Sequence, residues 1–288
     1  MFTGSIVAMV TPFKDGAVDY DKLGALVDYH VENDTNAIIP CGTTGESPTL
    51  SHTEHGKVVG KVIEVSNGRI PVIAGTGSNN TSEAVSMTRH AKEAGADGSL
   101  LITPYYNKPT QQGIYEHYKA ILEEVDIPII IYNVPSRTGV SISAETVARL
   151  AEFDNIVAIK EATGDIDQTS QILNMCNITV LSGDDSLTLP IMSVGGKGVV
   201  SVLANILPRE VLELTSSILN GEIENAQRLH KSLFPLCKAM FIETNPIPVK
   251  TAMKLLGRLN GEMKLPLCGM SEEHERQLKK VLEEHELI

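Results

Sequence analysis

The chain has 288 residues, and its 24 basic against 36 acidic side chains give a net charge of −12, which argues against a nucleic-acid-binding face and against adhesion to anionic lipid. No apolar run nears the roughly 18 residues of a membrane span, and the opening Met-Phe-Thr-Gly-Ser-Ile-Val lacks a charged signal-peptide region, so a cytoplasmic globular protein is expected. The length allows one large core; Cys41, Cys176, Cys237 and Cys268 are too scattered for a zinc or redox motif and are expected to be small core fillers.

In chain order, residues 5–10 read as a first strand, and Thr11-Pro12-Phe13 with Lys14-Asp15-Gly16 turns the chain into a helix at 19–33. The same phrase then recurs. Apolar runs at 37–41, 70–74, 99–102, 127–132, 156–159, 179–181 and 198–202 each lead through a polar turn into a helical stretch. Ser51 before Glu54, Ser143 before Ala144 and Asp165 before Gln168 have the chemistry of helix N-caps. Strand, turn and helix repeated eight times predict an α/β fold, a (β/α)8 TIM barrel; an open doubly wound sheet is the alternative, because periodicity does not show closure. Beyond the eighth strand, helices are predicted at 208–220, 223–240, 248–256 and 271–287 with no strand between them. A catalytic barrel over residues 1–222 is therefore expected, with a C-terminal helical domain over 223–288 packed on it, since no low-complexity linker separates the two.

In such a barrel the chemistry belongs at the carboxyl ends of the strands. The sixth run ends in Lys160, with Ala158, Lys160 and Ala162 on one face of the strand and Val157, Ile159 and Glu161 on the other. If the small-residue face looks into the barrel, desolvation lowers the lysine pKa and frees the amine to form a Schiff base with a carbonyl. The competing reading is a lysine that snorkels to solvent or pairs with Glu161. The other strand ends collect Gly42-Thr43-Thr44-Gly45-Glu46-Ser47, Thr103-Pro104-Tyr105-Tyr106-Asn107 and Tyr132-Asn133-Val134-Pro135-Ser136-Arg137-Thr138-Gly139. Phenol and threonine hydroxyls can pass protons to and from a carbinolamine, and the fork of Arg137 suits bidentate capture of a carboxylate.

Other patterns are weaker. Gly75-Thr76-Gly77-Ser78-Asn79-Asn80 resembles half of a dinucleotide fingerprint but lacks the third glycine, and Gly195-Gly196-Lys197-Gly198 precedes its strand, where a tight turn suffices. His52 and His55 lack a third metal ligand nearby and are expected to face solvent. Neither a metal nor an organic cofactor is implied.

Together the segments at Gly42, Tyr132 and Lys160, with Thr103-Pro104-Tyr105-Tyr106-Asn107-Lys108, Ser182-Gly183-Asp184-Asp185 and Glu243-Thr244-Asn245-Pro246-Ile247-Pro248, resemble the dihydrodipicolinate synthase family, from Gly4 to near the C-terminus. The resemblance implies a barrel with a C-terminal helical domain and condensation of pyruvate with L-aspartate 4-semialdehyde on the diaminopimelate route to lysine. It implies Lys160 as the Schiff-base lysine, Tyr132 as proton relay, and Thr44 as the link to a tyrosine, here Tyr106, lent by a neighbouring subunit. A homo-oligomer follows, either a dimer or a tetramer built as a dimer of dimers. By the same resemblance Thr43 and Thr44 hold the carboxylate of pyruvate, Arg137 receives that of the semialdehyde, and Gly183 and Val200 line the pocket. N-acetylneuraminate lyases are similar in fold and share the lysine and tyrosine, but Ser136-Arg137-Thr138-Gly139 resembles the synthase pattern. A homologue that only senses a keto acid would be expected to have lost these residues. Ser47, His52, His55, Asn79, Glu83 and Tyr105 resemble the site at which L-lysine inhibits feedback-sensitive members, with Pro48 standing where alanine is frequent.

Overall fold

The computed structural model describes residues 2–288. Eight parallel strands, β1 (Gly4–Ala8), β2 (Ala37–Ile39), β3 (Ile73–Gly75), β4 (Gly98–Ile102), β5 (Ile129–Asn133), β6 (Ile156–Glu161), β7 (Thr179–Ser182) and β8 (Gly198–Ser201), pair in the order β2-β1-β8-β7-β6-β5-β4-β3. The first strand is hydrogen-bonded to both the second and the last. A parallel bridge between Ile38 and Val72 joins β2 to the approach of β3 and closes the ring, which rules out the open sheet.

Two strands start later than their apolar runs predict, because Pro71 and Pro128 have no N–H to give to a ladder. They contribute only acceptors: Ile38 N donates to Pro71 O at 2.9 Å, and Ser99 N to Pro128 O at 2.8 Å. At the other end β6 runs further than the sequence suggests, through Lys160 to Glu161.

Around the ring lie α1 (Tyr20–Glu32), α2 (His52–Ser66), α3 (Thr81–Ala94), α4 (Gln111–Glu124), α5 (Ala144–Leu150), α6 (Ile166–Met175), α7 (Thr188–Ser193) and α8 (Pro208–Leu219). The predicted caps are in place: Ser51 and Glu54 form a complete capping box, Ser143 accepts from Thr146 N, and Asp165 accepts from Asp167 N and Gln168 N. After them come α9 (Ile223–Ala239), α10 (Ile247–Leu255) and α11 (Glu272–Glu284). Leu229, Leu233 and Leu236 of α9, Val249 and Met253 of α10, and Leu278 and Leu282 of α11 belong to one apolar cluster with Leu23 and Val27 of α1 and Val58 and Val62 of α2. The barrel interior is a separate cluster that includes Ile6, Ile39, Ile73, Leu100, Ile130, Tyr132, Ala158, Leu181 and Val200. Alternate residues, among them Leu101, Ile131, Ile159 and Val180, point outward under the helices.

Two buried histidines make the fold sensitive to acid. His30, in the last turn of α1, shares a hydrogen bond of 3.1 Å with Thr35, and His117, in α4, one of 2.9 Å with Thr81. Burial lowers their pKa values from 6.5 to about 3 and about 4, respectively. Below 6.5 the unfolded chain takes up protons at these positions and the folded chain does not, so stability falls with pH by up to about 1.4 kcal/mol per unit for each histidine until the folded pKa is reached. In urea denaturation between pH 7 and 5, a His30→Gln/His117→Gln double variant should lose less stability than the parent; parallel curves would contradict this.

Candidate active site

The register of the barrel brings the two central groups together. Tyr132 on β5 pairs with Lys160 on β6, so both side chains rise from the same level of the interior, and the Lys160 Nζ lies 4.1 Å from the centroid of the Tyr132 ring. Lys160 is 6% exposed, with Ala158 of the same strand buried below it. Small neighbours leave the long side chain room to stand inside the ring. The alternative pairing with Glu161 does not occur. Glu161 sits on the outer face, where its carboxylate accepts from Asn133 Nδ2 at 3.1 Å and Thr163 N at 2.7 Å. Burial pushes the Glu161 carboxyl above the usual carboxylate range, against the effect of those hydrogen bonds. Among the described residues Lys160 has no ion-pair partner, whereas the other deeply buried lysine, Lys250, is bound to Glu46.

The loop after β2 carries the threonines. Thr44 is buried and its Oγ1 accepts from Asn245 Nδ2 at 3.0 Å, while Thr43 is partly exposed and lines a cleft of about 470 Å³ with Tyr132 and Arg137. Gly45 keeps this loop tight, since a Cβ there would meet Cys41 N at 2.9 Å and Met9 O at 3.1 Å. Arg137 lies in a four-residue helical turn, Pro135–Thr138; it is exposed, and its guanidinium donates to the Asn245 carbonyl at 3.2 Å. Gly183 follows β7, where a Cβ would come within 2.5 Å of the Ala162 Cβ. Val200 is buried in the interior wall opposite Ile6 in the register. No hydrogen bond joins the Tyr132 and Thr44 hydroxyls within the described residues, although both stand at the carboxyl end of the barrel. Tyr106 does not line its own chain's cleft: it has a left-handed φ of 71° and is 89% exposed.

The same cleft runs on to the second group of predicted residues. Ser47, His52, His55, Glu83 and Tyr105 line it, and Pro48 stands exposed along its wall. Asn79 does not, and its carbonyl instead accepts from Asn107 Nδ2 at 2.9 Å. His55 departs from the solvent-facing expectation. It is buried, with Nε2 2.8 Å from Gly75 O, and burial lowers its pKa. His52 is exposed as expected. Ser78, which the sequence reading set aside with its glycine-rich run, lines the cleft and donates to Glu83 Oε2 at 2.8 Å. Cys41 and Cys237 are buried as expected of core fillers, but Cys268 is exposed and Cys176 half-buried. Among the described residues no group of three or more His, Cys, Asp or Glu side chains could hold a metal ion.

Residues 1–285 match the family model described as the dihydrodipicolinate synthetase family. A 4-hydroxy-tetrahydrodipicolinate synthase of Geobacter sulfurreducens is 59% identical over 290 residues, with all of both chains covered. A solved dihydrodipicolinate synthase from Aquifex aeolicus has a TM-score of 0.98 at 56% identity, covering 99% of each chain. The structure of the enzyme from Cyanidioschyzon merolae with lysine bound has a TM-score of 0.97 at 41% identity, covering 100% of this chain and 99% of that one.

Proposed function

The chain belongs to the dihydrodipicolinate synthetase family, and from that premise we infer that it condenses pyruvate with L-aspartate 4-semialdehyde to 4-hydroxy-tetrahydrodipicolinate, as a Schiff-base lyase of the diaminopimelate route to lysine. The observation that carries this reading is the Lys160 amine standing against the Tyr132 ring inside the barrel mouth. The amine attacks the keto carbon of pyruvate, and loss of water from the carbinolamine gives an imine. The imine makes the pyruvate methyl acidic, and the enamine formed by its deprotonation adds to the aldehyde.

Each of the other residues has a place in that sequence. Tyr132 passes protons at the imine, and Thr44 connects it to Tyr106 of a neighbouring copy. The exposure of Tyr106 and its absence from its own cleft support a site completed across an interface, in a dimer or in a tetramer made of two dimers. Thr43 and Thr44 hold the pyruvate carboxylate, while Arg137, at the cleft wall, receives the carboxylate of the semialdehyde. Gly183, which has no room for a side chain against Ala162, and Val200 form part of the pocket wall. The test is a coupled assay with both substrates beside one for N-acetylneuraminate cleavage. Turnover in the first and none in the second is expected; cleavage alone would overturn the assignment.

The far part of the cleft is read as an L-lysine effector site. Glu83 is half-buried, held by Ser78, and has no cationic partner among the described residues, so it suits the ammonium of a free amino acid. Ser47 and His52 offer polar groups to the other end, and Tyr105 adjoins Tyr106, so occupancy there can move the relay tyrosine. Asn79 lies outside the cleft lining, and since its contact with Asn107 uses its main-chain carbonyl, its side-chain amide is the group that would turn toward a bound lysine. L-lysine at millimolar or lower concentration should inhibit the enzyme, and Glu83→Ala should remove inhibition with basal turnover largely kept. Full activity of the unaltered enzyme in saturating lysine from pH 7 to 9 would eliminate the site.

A further inference from the structure

One residue from the C-terminal helical region reaches into the barrel mouth and touches both the relay hydroxyl and the carboxylate-binding arginine. Asn245 is 5% exposed. Its side-chain Nδ2 donates to Thr44 Oγ1 at 3.0 Å, across 201 residues of sequence, and its main-chain carbonyl accepts from the Arg137 guanidinium at 3.2 Å. The segment around it is tied down on both sides. Upstream, Glu243 accepts from Ser271 N at 3.0 Å and from His274 Nδ1 at 2.8 Å, next to α11. Downstream, Lys250 N donates to Pro246 O at 3.0 Å in the first turn of α10.

A threonine hydroxyl has one proton and two lone pairs. With one lone pair occupied by an amide N–H, which cannot accept, the Thr44 proton must point elsewhere. Among the described residues Thr44 Oγ1 has no other hydrogen-bond partner, so its proton is left for the mouth of the barrel. Asn245 Oδ1, by contrast, is buried without a partner. An orphaned buried carbonyl is a cost to the fold. In the opposite amide orientation the oxygen would face Thr44 and draw its proton away from the site.

The geometry points to Asn245 as a positioning residue of the condensation, one that holds Thr44 as a hydrogen-bond donor toward the active site and so fixes the direction in which the relay passes a proton. This rests on the reading of Thr44 as part of the relay. The contact with Arg137 comes from the main chain, so side-chain substitutions at 245 leave its acceptor in place.

The test is a mutant cycle read in steady-state kinetics and in borohydride trapping of the pyruvate imine. An aspartate carboxylate only accepts, so Asn245→Asp captures the Thr44 proton and reverses the bond; kcat should fall about 100-fold, while the pyruvate KM and the rate of imine trapping change by less than about threefold. Asn245→Ala, which leaves the hydroxyl unoriented, should lower kcat about tenfold. On a Thr44→Val background, neither substitution should lower kcat further by more than about twofold, because the group through which Asn245 acts is gone. If Asn245→Asp shows no folded circular dichroism spectrum, the Asn245→Ala pair completes the cycle alone. Normal turnover of the Asn245 variants beside a slow Thr44→Val enzyme would overturn the proposal and leave the relay standing. An undiminished loss on the Thr44→Val background would also overturn it, since Asn245 would then act by packing. Normal turnover of Thr44→Val would remove the relay itself, and the proposal with it.

Discussion

Lys160→Ala is expected to lower kcat by at least about a thousandfold, and Lys160→Arg by as much, because a guanidinium keeps the charge but supplies no nucleophile. Neither loss should be recovered by raising the substrate concentration, since what is removed is the bond-forming group. In the unaltered protein, borohydride in the presence of pyruvate should fix a reduced pyruvyl group on one peptide, the one that contains residues 156–161 of β6. The structure contains a built-in comparison. Lys250 is buried more deeply than Lys160, but its Nζ donates to the Glu46 carboxylate and to the Thr11 carbonyl at 2.9 Å, and the Glu46 charge favours the ammonium, which has no lone pair to attack a keto acid. Among the described residues Lys160 has no ion-pair partner, and its Nζ lies over the ring face of Tyr132. Label found on Lys250, or on no lysine while turnover persists, would remove the covalent mechanism.

The features legible in the sequence were those encoded within a few residues. The face of β6 that holds Lys160 followed from strand alternation and from the alanines on either side of it, and the helix starts followed from Ser51, Ser143 and Asp165, whose side chains act on backbone two or three residues away. His55 was misread although its signal was present. It lies at the head of the spacing 55, 58, 59, 62, which is the buried stripe of α2, and a polar residue on that stripe is turned inward with the rest. Pro71 and Pro128 shortened strands whose apolar runs began earlier. The contacts of Asn245 with Thr44 and of Lys250 with Glu46 join residues 201 and 204 positions apart, and no local pattern marks either member as paired. The polar character of the loop after β2 and the C-terminal helices themselves were visible, but the contacts by which residues of that region hold the loop were not.

That loop sets up the second large effect. Glu46 has a left-handed φ of 54°, and its side chain is 0% exposed against 1% for Lys250, with 2.5 Å between them. Lys250 Nζ also lies 4.3 Å from the Phe13 ring centroid, and the second Glu46 oxygen accepts from Lys264 N at 3.1 Å. Two charges removed from water in this way are held by each other, so deleting one leaves the other unpaired at a cost of about 3–5 kcal/mol. Glu46→Gln and Lys250→Met should each lower Tm by on the order of 10 °C in a chain of this size. In Glu46→Gln the ammonium can escape by losing its proton, and burial already pulls the Lys250 pKa below 10.5. The folded variant then binds fewer protons than the unfolded chain below pH 10.5, so its stability rises as pH climbs from 7 toward 10, a dependence that the Lys250→Met variant lacks. Combining Glu46→Leu with Lys250→Met should restore part of the stability, because no buried charge remains, but not all of it, because the Thr11 carbonyl and Lys264 N–H lose their partners. Turnover of that double variant should stay low, since Thr44 is two residues from the released anchor. Thermal melts that place both single variants within about 1 kcal/mol of the parent would show that the pair contributes little more than an exposed salt bridge.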